Sequence, residues 1–306
     1  PDYEYSPFMN EKFYKDWSHD LKWGIHQARC VVGHNLKVAW NLTRMHSLKP
    51  KESYKKFAHQ IADAIPGSGC DNQRGGWYDM MERTLKEGEE NHRLVWHDRK
   101  AWWQQEQGIL AYYIMAGVYN DKPEYLNFAR EGTAFYNGWF LDYEEGGIYF
   151  NVLANGQPYS LGTERGKGSH SMAGYHSFEL CYLAAIYTNL LIKKQSMDFY
   201  FCPEPNGWED NILRVAPDLL PKGSIELSEV WIEGKSYKDF DKQKMHIFLP
   251  ESEKSLKIRC RIAPVGLDFD ADLIKLEDDI ASFALKGQLI GSTVSIMKKS
   301  VENLTG

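Results

Sequence analysis

Apolar side chains recur at helical spacing in several stretches of the first two thirds of the chain. Residues 33–48 carry Leu36, Val38, Ala39, Trp40, Leu42 and Met45, enough for a largely buried helix. Residues 51–65 are amphipathic, with Tyr54, Phe57, Ala58, Ile61, Ala62 and Ile65 apolar, and Pro66-Gly67 marks the expected end. Residues 102–119 and 123–140 repeat the pairing of an apolar helix with one that keeps a polar face. Residues 172–193 are apolar on every side and predict a helix buried all round; His176, Glu179 and Asn189 argue against a membrane span. Residues 10–21 predict one more helix, with Phe13 and Trp17 four apart.

Between the pairs the period changes. Residues 68–100, with Gly75-Gly76 and a charged turn near Gly88, read as a β-hairpin excursion. Residues 141–161 read as a second, with Gly-Gly and Asn-Gly turns. Uniformly apolar inner helices sheathed by amphipathic outer ones are the pattern of a mainly α fold, a helical toroid. After Met197 the runs 212–215, 224–232, 244–249 and 256–262 predict short strands in a small β-rich module. Residues 268–279 form an acidic connector, 281–289 a strand, and 292–304 a helix with Val294, Met297, Val301 and Leu304 apolar. One strand and one helix bury no core, so this reads as a truncated α/β piece. The expected domains are 1–197, 198–267 and 268–306. The start at Pro1 fits a piece of a longer protein.

Composition narrows the class. The 306 residues are 43% hydrophobic and 25% charged, as in a folded domain, and the net charge of −6 argues against nucleic acid as the main partner. Five cysteines, Cys30, Cys70, Cys181, Cys202 and Cys260, form no CxxC or CxxH pair. That spacing implies no metal site, reduced thiols and a cytoplasmic location. No signal peptide or membrane partner is expected.

His34 and His176 stand at the starts of apolar helices, where free N–H groups favour anions and a neutral imidazole. They are candidate acid/base groups; the alternative is a pair of core histidines bonded to carbonyls. Trp102 and Trp103 point about 100° apart on a helix, so one faces a ligand and the other the core. Trp77, Trp96 and Tyr149 are further aromatic candidates, and His97, Asp98 and Arg99 candidates for binding hydroxyls. Glu164-Arg165 sits in the loop before His176, whereas His46, His59 and His92 read as surface or packing residues.

The segments GHNLKVAWNL (33–42), KAWWQQEQGIL (100–110) and KGSHSMAGYHSFE (167–179), with the Gly-Gly hairpins, resemble the N-acylglucosamine 2-epimerase family. That family includes cellobiose 2-epimerases and aldose–ketose isomerases. The resemblance spans about residues 5–195 and matches the second half of a family member. It implies a partial (α/α)6 toroid working without cofactor or metal on an aldose or N-acyl-hexosamine, and the open inner helices of half a toroid imply a missing N-terminal half, a partner chain or a homo-oligomer. A proton moves at C2 through a cis-enediolate, with His34 and His176 as the catalytic pair. It further implies sugar contacts from Trp102, Trp103, Gln104, Glu106, Gln107, Trp96, His97, Arg99 and Trp77. Three positions depart from the family pattern. Lys37 stands for its glutamate and Glu179 for its arginine, a reciprocal swap that predicts a Lys37–Glu179 ion pair supporting the histidines. Gln107 stands for an acidic residue, with Glu106 shifted by one, and an amide replaces a carboxylate that orients a histidine.

These departures keep a second reading open, a non-catalytic sugar sensor or regulatory protein. A third, a glycoside-cleaving enzyme, needs two opposed carboxylates, with Glu106 and Asp98 as candidates. The tail FALKGQLIGSTVSIMKKSVENL resembles the opening of a STAS domain and implies a protein partner at the C-terminus.

Overall fold

A computed structural model of the chain describes residues 6–18, 29–95, 98–168, 172–205, 207 and 210–266. The chain divides between Leu180 and Cys181 into two compact units. The tail 268–306, including the STAS-like stretch, lies outside the described residues.

The first unit begins with β1 (Arg29–Val31) and α1 (Val32–Leu48), followed by α2 (Glu52–Ala64). A short α3 (Pro66–Gly69), β2 (Met80–Glu82) and β3 (Lys100–Ala101) lead to α4 (Trp102–Val118) and α5 (Pro123–Trp139). After β4 (Asn151–Val152), α6 (Tyr175–Ile186) closes the helical series and runs on into a π turn, Tyr187–Ile192. α1 packs against both α2 and α4, and α4 packs against α5. Among the described residues α4 is the most buried helix, closed to solvent from Gln104 through Met115.

The close crossing of α1 and α4 depends on Gly33. A Cβ there would lie 2.7 Å from the Trp103 ring and 2.9 Å from Gln104 Cγ. Gly108 similarly leaves room for the Trp77 indole to lie flat on α4. Trp77 is 1% exposed and stacks on Tyr112, so it is a core residue and not part of a sugar floor.

The two excursions share a repeat, DNQRGGWY (71–78) and DYEEGGIY (142–149). In each, an aspartate Oδ1 accepts the next two free N–H groups, Gln73 and Arg74 in one, Glu144 and Glu145 in the other. A later lysine then bonds the same aspartate and the carbonyl of the first glycine or its counterpart. Lys100 Nζ lies 2.9 Å from Asp71 and 2.6 Å from Gly75 O; Lys167 Nζ lies 2.8 Å from both Asp142 and Gly146 O. Each repeat thus pins a loop to the lead-in of the next inner helix.

Two expectations are corrected and one holds in part. Residues 10–18 form no helix: Trp17, with φ +67°, closes a turn from Tyr14 to Ser18. Phe13 and Trp17 are exposed, and no core surface offsets the cost of helix nucleation. The end expected at Pro66-Gly67 is found: α2 stops at Ala64, and Pro66, with its fixed φ and missing N–H, opens the short α3. The excursions close hairpin bridges of their own, Cys70–Trp77, Met81–Leu94, Leu141–Ile148 and Val152–Pro158, but their longer pairings lead outward, β2 to β1 and β3 to β4. α6 is not buried all round: Tyr175 and Phe178 are 56% and 69% exposed.

The second unit holds two antiparallel sheets. One has the order β5 (Met197–Phe201), β11 (Ile258–Pro264), β7 (Ile225–Ile232), β8 (Lys235–Tyr237). The other joins β6 (Ile212–Arg214), β10 (His246–Phe248) and β9 (Phe240–Asp241). Alternation along β11 turns Ile258, Cys260 and Ile262 inward and Arg259 and Arg261 outward. Among the described residues, no helix is long and apolar enough to cross a membrane.

Candidate active site

Three helix starts meet at one open cleft of about 350 Å³: His34 in α1, Trp103 in α4 and His176 in α6. The Trp103 ring centroid lies 5.1 Å from that of His34 and 5.7 Å from that of His176. Trp102 turns toward Phe150, at 4.4 Å, and is 3% exposed. Trp102 also borders the cleft, edge-on to His176 at 6.3 Å, so Trp103 stands between the histidines and Trp102 is buried at the edge of the cleft.

The two histidines are held differently. His34 Nδ1 lies 3.0 Å from Glu11 Oε1. A carboxylate only accepts, so Nδ1 carries a hydrogen, and in the neutral ring the lone pair is on Nε2. His176 Nδ1 instead faces Gln107 Nε2 at 3.2 Å. The Gln107 amide has one orientation that satisfies its neighbours. Its oxygen accepts from Trp40 Nε1, 2.9 Å away, because an indole only donates. Its NH2 then donates to Glu179 Oε2 at 3.1 Å and to His176 Nδ1. His176 therefore carries its hydrogen on Nε2. Burial, with the Lys37 charge adding to it and Glu179 opposing, lowers the His176 pKa to about 4. At neutral pH the ring is uncharged and an Nε2–H donor.

Lys37 Nζ lies 3.6 Å from Glu179 Oε2, so the reciprocal ion pair forms, half-buried behind His176. The opposite wall is a chain of polar contacts. The Gly33 N–H donates to Gln104 Oε1 at 2.6 Å, and Gln104 Nε2 donates to Asp79. Arg99 Nε donates to Asp79 Oδ2 at 2.6 Å and its Nη1 to Glu164 Oε2 at 2.8 Å. Burial raises the Asp79 pKa against the pull of Arg99.

Gln104, Glu106 and Gln107 are fully buried and do not line the cleft; they hold what does. Glu106 Oε1 accepts from Tyr136 Oη and Ser177 Oγ, both at 2.6 Å, while Oε2 has no partner among the described residues. Burial raises its pKa to about 7, and the Glu179 charge adds a smaller push. Trp96 and His97 lie outside the described residues. His46, His59 and His92 bond Lys51, Tyr125 and Glu82, away from the cleft.

Sequence reasoning missed Glu11, Arg29, Asp79, Asn151 and Tyr175. Tyr175 and Asp79 adjoin recognised motifs, which is the signal that points to them. Glu11 falls in the stretch taken for a helix and carries no local signal.

No protein-family model matches the chain, and no curated protein sequence matches it. Similar solved structures exist. Cellobiose 2-epimerase from Bacillus thermoamylovorans B4167 has 20% identity and a TM-score of 0.47, over 59% of this chain and 41% of that one. A D-mannose isomerase has 19% identity and a TM-score of 0.46, over 57% and 41%. A family 76 glycoside hydrolase from a bovine Bacteroides thetaiotaomicron strain has 16% identity and a TM-score of 0.39, over 52% and 31%. The chain thus spans about two fifths or less of the length of these structures.

Proposed function

We propose that the cleft takes an open-chain aldose and moves a proton at the carbon beside its carbonyl, as a sugar isomerase of the partial (α/α)6 kind. The observation that carries this reading is the unlike protonation of the two histidines. His34, oriented by Glu11, offers a bare Nε2 as base. His176, oriented by Gln107, offers a neutral Nε2–H to the carbonyl oxygen.

The step then balances as follows. His34 Nε2 takes the C2 proton, and the freed pair forms the C1–C2 double bond. The charge on O1 is met by the His176 hydrogen. The proton on His34 returns to C1, and the O2 hydroxyl proton passes to O1, leaving a ketose. Inversion at C2 instead needs an acid on the far face that returns a proton to carbon, and a neutral imidazole N–H is too weak an acid to do so. The two-base epimerase reading therefore gives way to a one-base isomerase reading. Trp103 offers the stacking face between the histidines, and Arg99 the guanidinium for hydroxyls. The carboxylates that line the cleft, Asp79 and Glu164, are both engaged by Arg99, which leaves a glycoside-cleaving pair without support.

The test is NMR of glucose, mannose, cellobiose and N-acetylglucosamine in D2O with the protein. Expected is deuterium uptake at C2 of one aldose with ketose accumulating, lost in His34→Ala and His176→Ala. A 2-epimer as the main product would sink the one-base mechanism. Sugar binding with no exchange would sink catalysis and leave the sensor reading.

A further inference from the structure

The outward face of the four-stranded sheet in the second unit holds another cleft, of about 360 Å³. Strand register builds its floor. Tyr200, Arg259 and Trp231 stand side by side across β5, β11 and β7. The Arg259 guanidinium lies 3.8 Å from the Trp231 ring centroid. Lys257 and Glu233 close one end, where Glu233 Oε1 accepts the Lys257 N–H at 2.8 Å.

Two arginines on this face are treated differently. Arg261 is matched by carboxylates: it bonds Asp198 at 2.7 and 3.1 Å and Glu229 at 3.0 Å. Arg259 has no carboxylate among the described residues, and its Nε is buried without a hydrogen-bond partner. The Arg259 charge thus meets no counter-ion among the described residues, and an incoming anion supplies one. A guanidinium held flat on an indole presents a fork matched to the paired oxygens of a carboxylate or phosphate. Beside it the Tyr200 ring, 39% exposed, offers a flat apolar face, and the Lys257 and Glu233 side chains offer partners for hydroxyls.

We propose that this cleft binds an anionic sugar, its carboxylate or phosphate on Arg259 and its ring face on Tyr200. The site is independent of the proposed isomerase cleft. Cys202 lines it and is an exposed thiol, which supplies a local reporter.

The experiment follows labelling of Cys202 by iodoacetamide, and calorimetric titration, with glucuronate, glucose 6-phosphate, glucose and inorganic phosphate. A Trp103→Ala background removes the stacking face of the first cleft. Expected is protection of Cys202 by glucuronate or glucose 6-phosphate, whichever anion the fork prefers. Affinity should fall roughly tenfold or more in Arg259→Gln, the scale of a lost charge-assisted bond. It should fall in Tyr200→Ala as well, and stay within about twofold in Arg261→Gln, whose guanidinium is already matched. No protection by either anionic sugar overturns the proposal. Equal binding of glucose overturns the role of Arg259, and equal binding of inorganic phosphate overturns the sugar.

Discussion

Replacing Gln107 by glutamate puts an acceptor where an amide now donates to His176 Nδ1. The imidazole hydrogen then moves to Nδ1, Nε2 becomes a base, and the carboxylate pulls the His176 pKa up from about 4. The expected outcome for Gln107→Glu is an acid limb in kcat/KM that moves to higher pH, with C2 epimer joining the ketose. An unmoved acid limb would remove Gln107 from the mechanism. His34, His176, Trp103 and Arg99 were legible because each sits in a short motif at a helix start or its lead-in. Glu11 was not, since its partner is 23 residues away and only the folded chain joins them.

The helices obey their apolar period, and the points where they touch are set by small residues and buried charge. Gly33→Ala forces a Cβ against the Trp103 ring and the Gln104 stem. The expected cost is about 1–3 kcal/mol in urea unfolding, as for other overpacked contacts, with turnover lost as Trp103 leaves the histidines. Wild-type stability in this variant would mean that the α1–α4 crossing tolerates separation. The repeated Asp–Lys loops give a paired test. Lys100 and Asp71 are 0% and 2% exposed in their side chains, so Lys100→Met strands a buried carboxylate, at about 3–5 kcal/mol. Lys167→Met breaks the same contact where the lysine is 31% exposed, and should lower the melting temperature far less. Equal losses would show that burial does not set the strength of these anchors. The repeat was visible in the sequence as DxxxGGxY written twice. The sheet pairing was not, because β1–β2 and β3–β4 join segments about fifty residues apart in the chain.

At the scale of the whole molecule, two buried groups give stability opposing slopes with pH. Folded His176 takes a proton only near pH 4, whereas the unfolded chain takes it near 6.5; its share of stability is full above 6.5 and drains as pH falls toward 4. Folded Glu106 keeps its proton to about pH 7, whereas the unfolded chain releases it near 4.5; its share is full below 4.5 and drains as pH rises through 7. Glu106→Gln removes the second slope. The variant should match wild type near pH 4.5 and exceed it at pH 8 by on the order of 2–3 kcal/mol in denaturant unfolding. Identical stabilities at pH 8 would mean that Glu106 ionises freely in the fold.

The sequence by itself determined the helix pairs, four of the seven described strands of the β-rich module and the motifs that carry the two histidines. Local periodicity and turn chemistry act over a few residues, so they are readable from the order of residues alone. Tertiary structure decided which side chains reach the cleft and in which protonation state. Trp77, Gln104, Glu106 and Gln107 read as ligand contacts, yet packing turns them inward. The Gln107 amide, fixed between Trp40 and Glu179, sets where the His176 hydrogen sits. Such assignments depend on partners distant in the chain and on the loss of water around them, and both arise only when the helices close on one another.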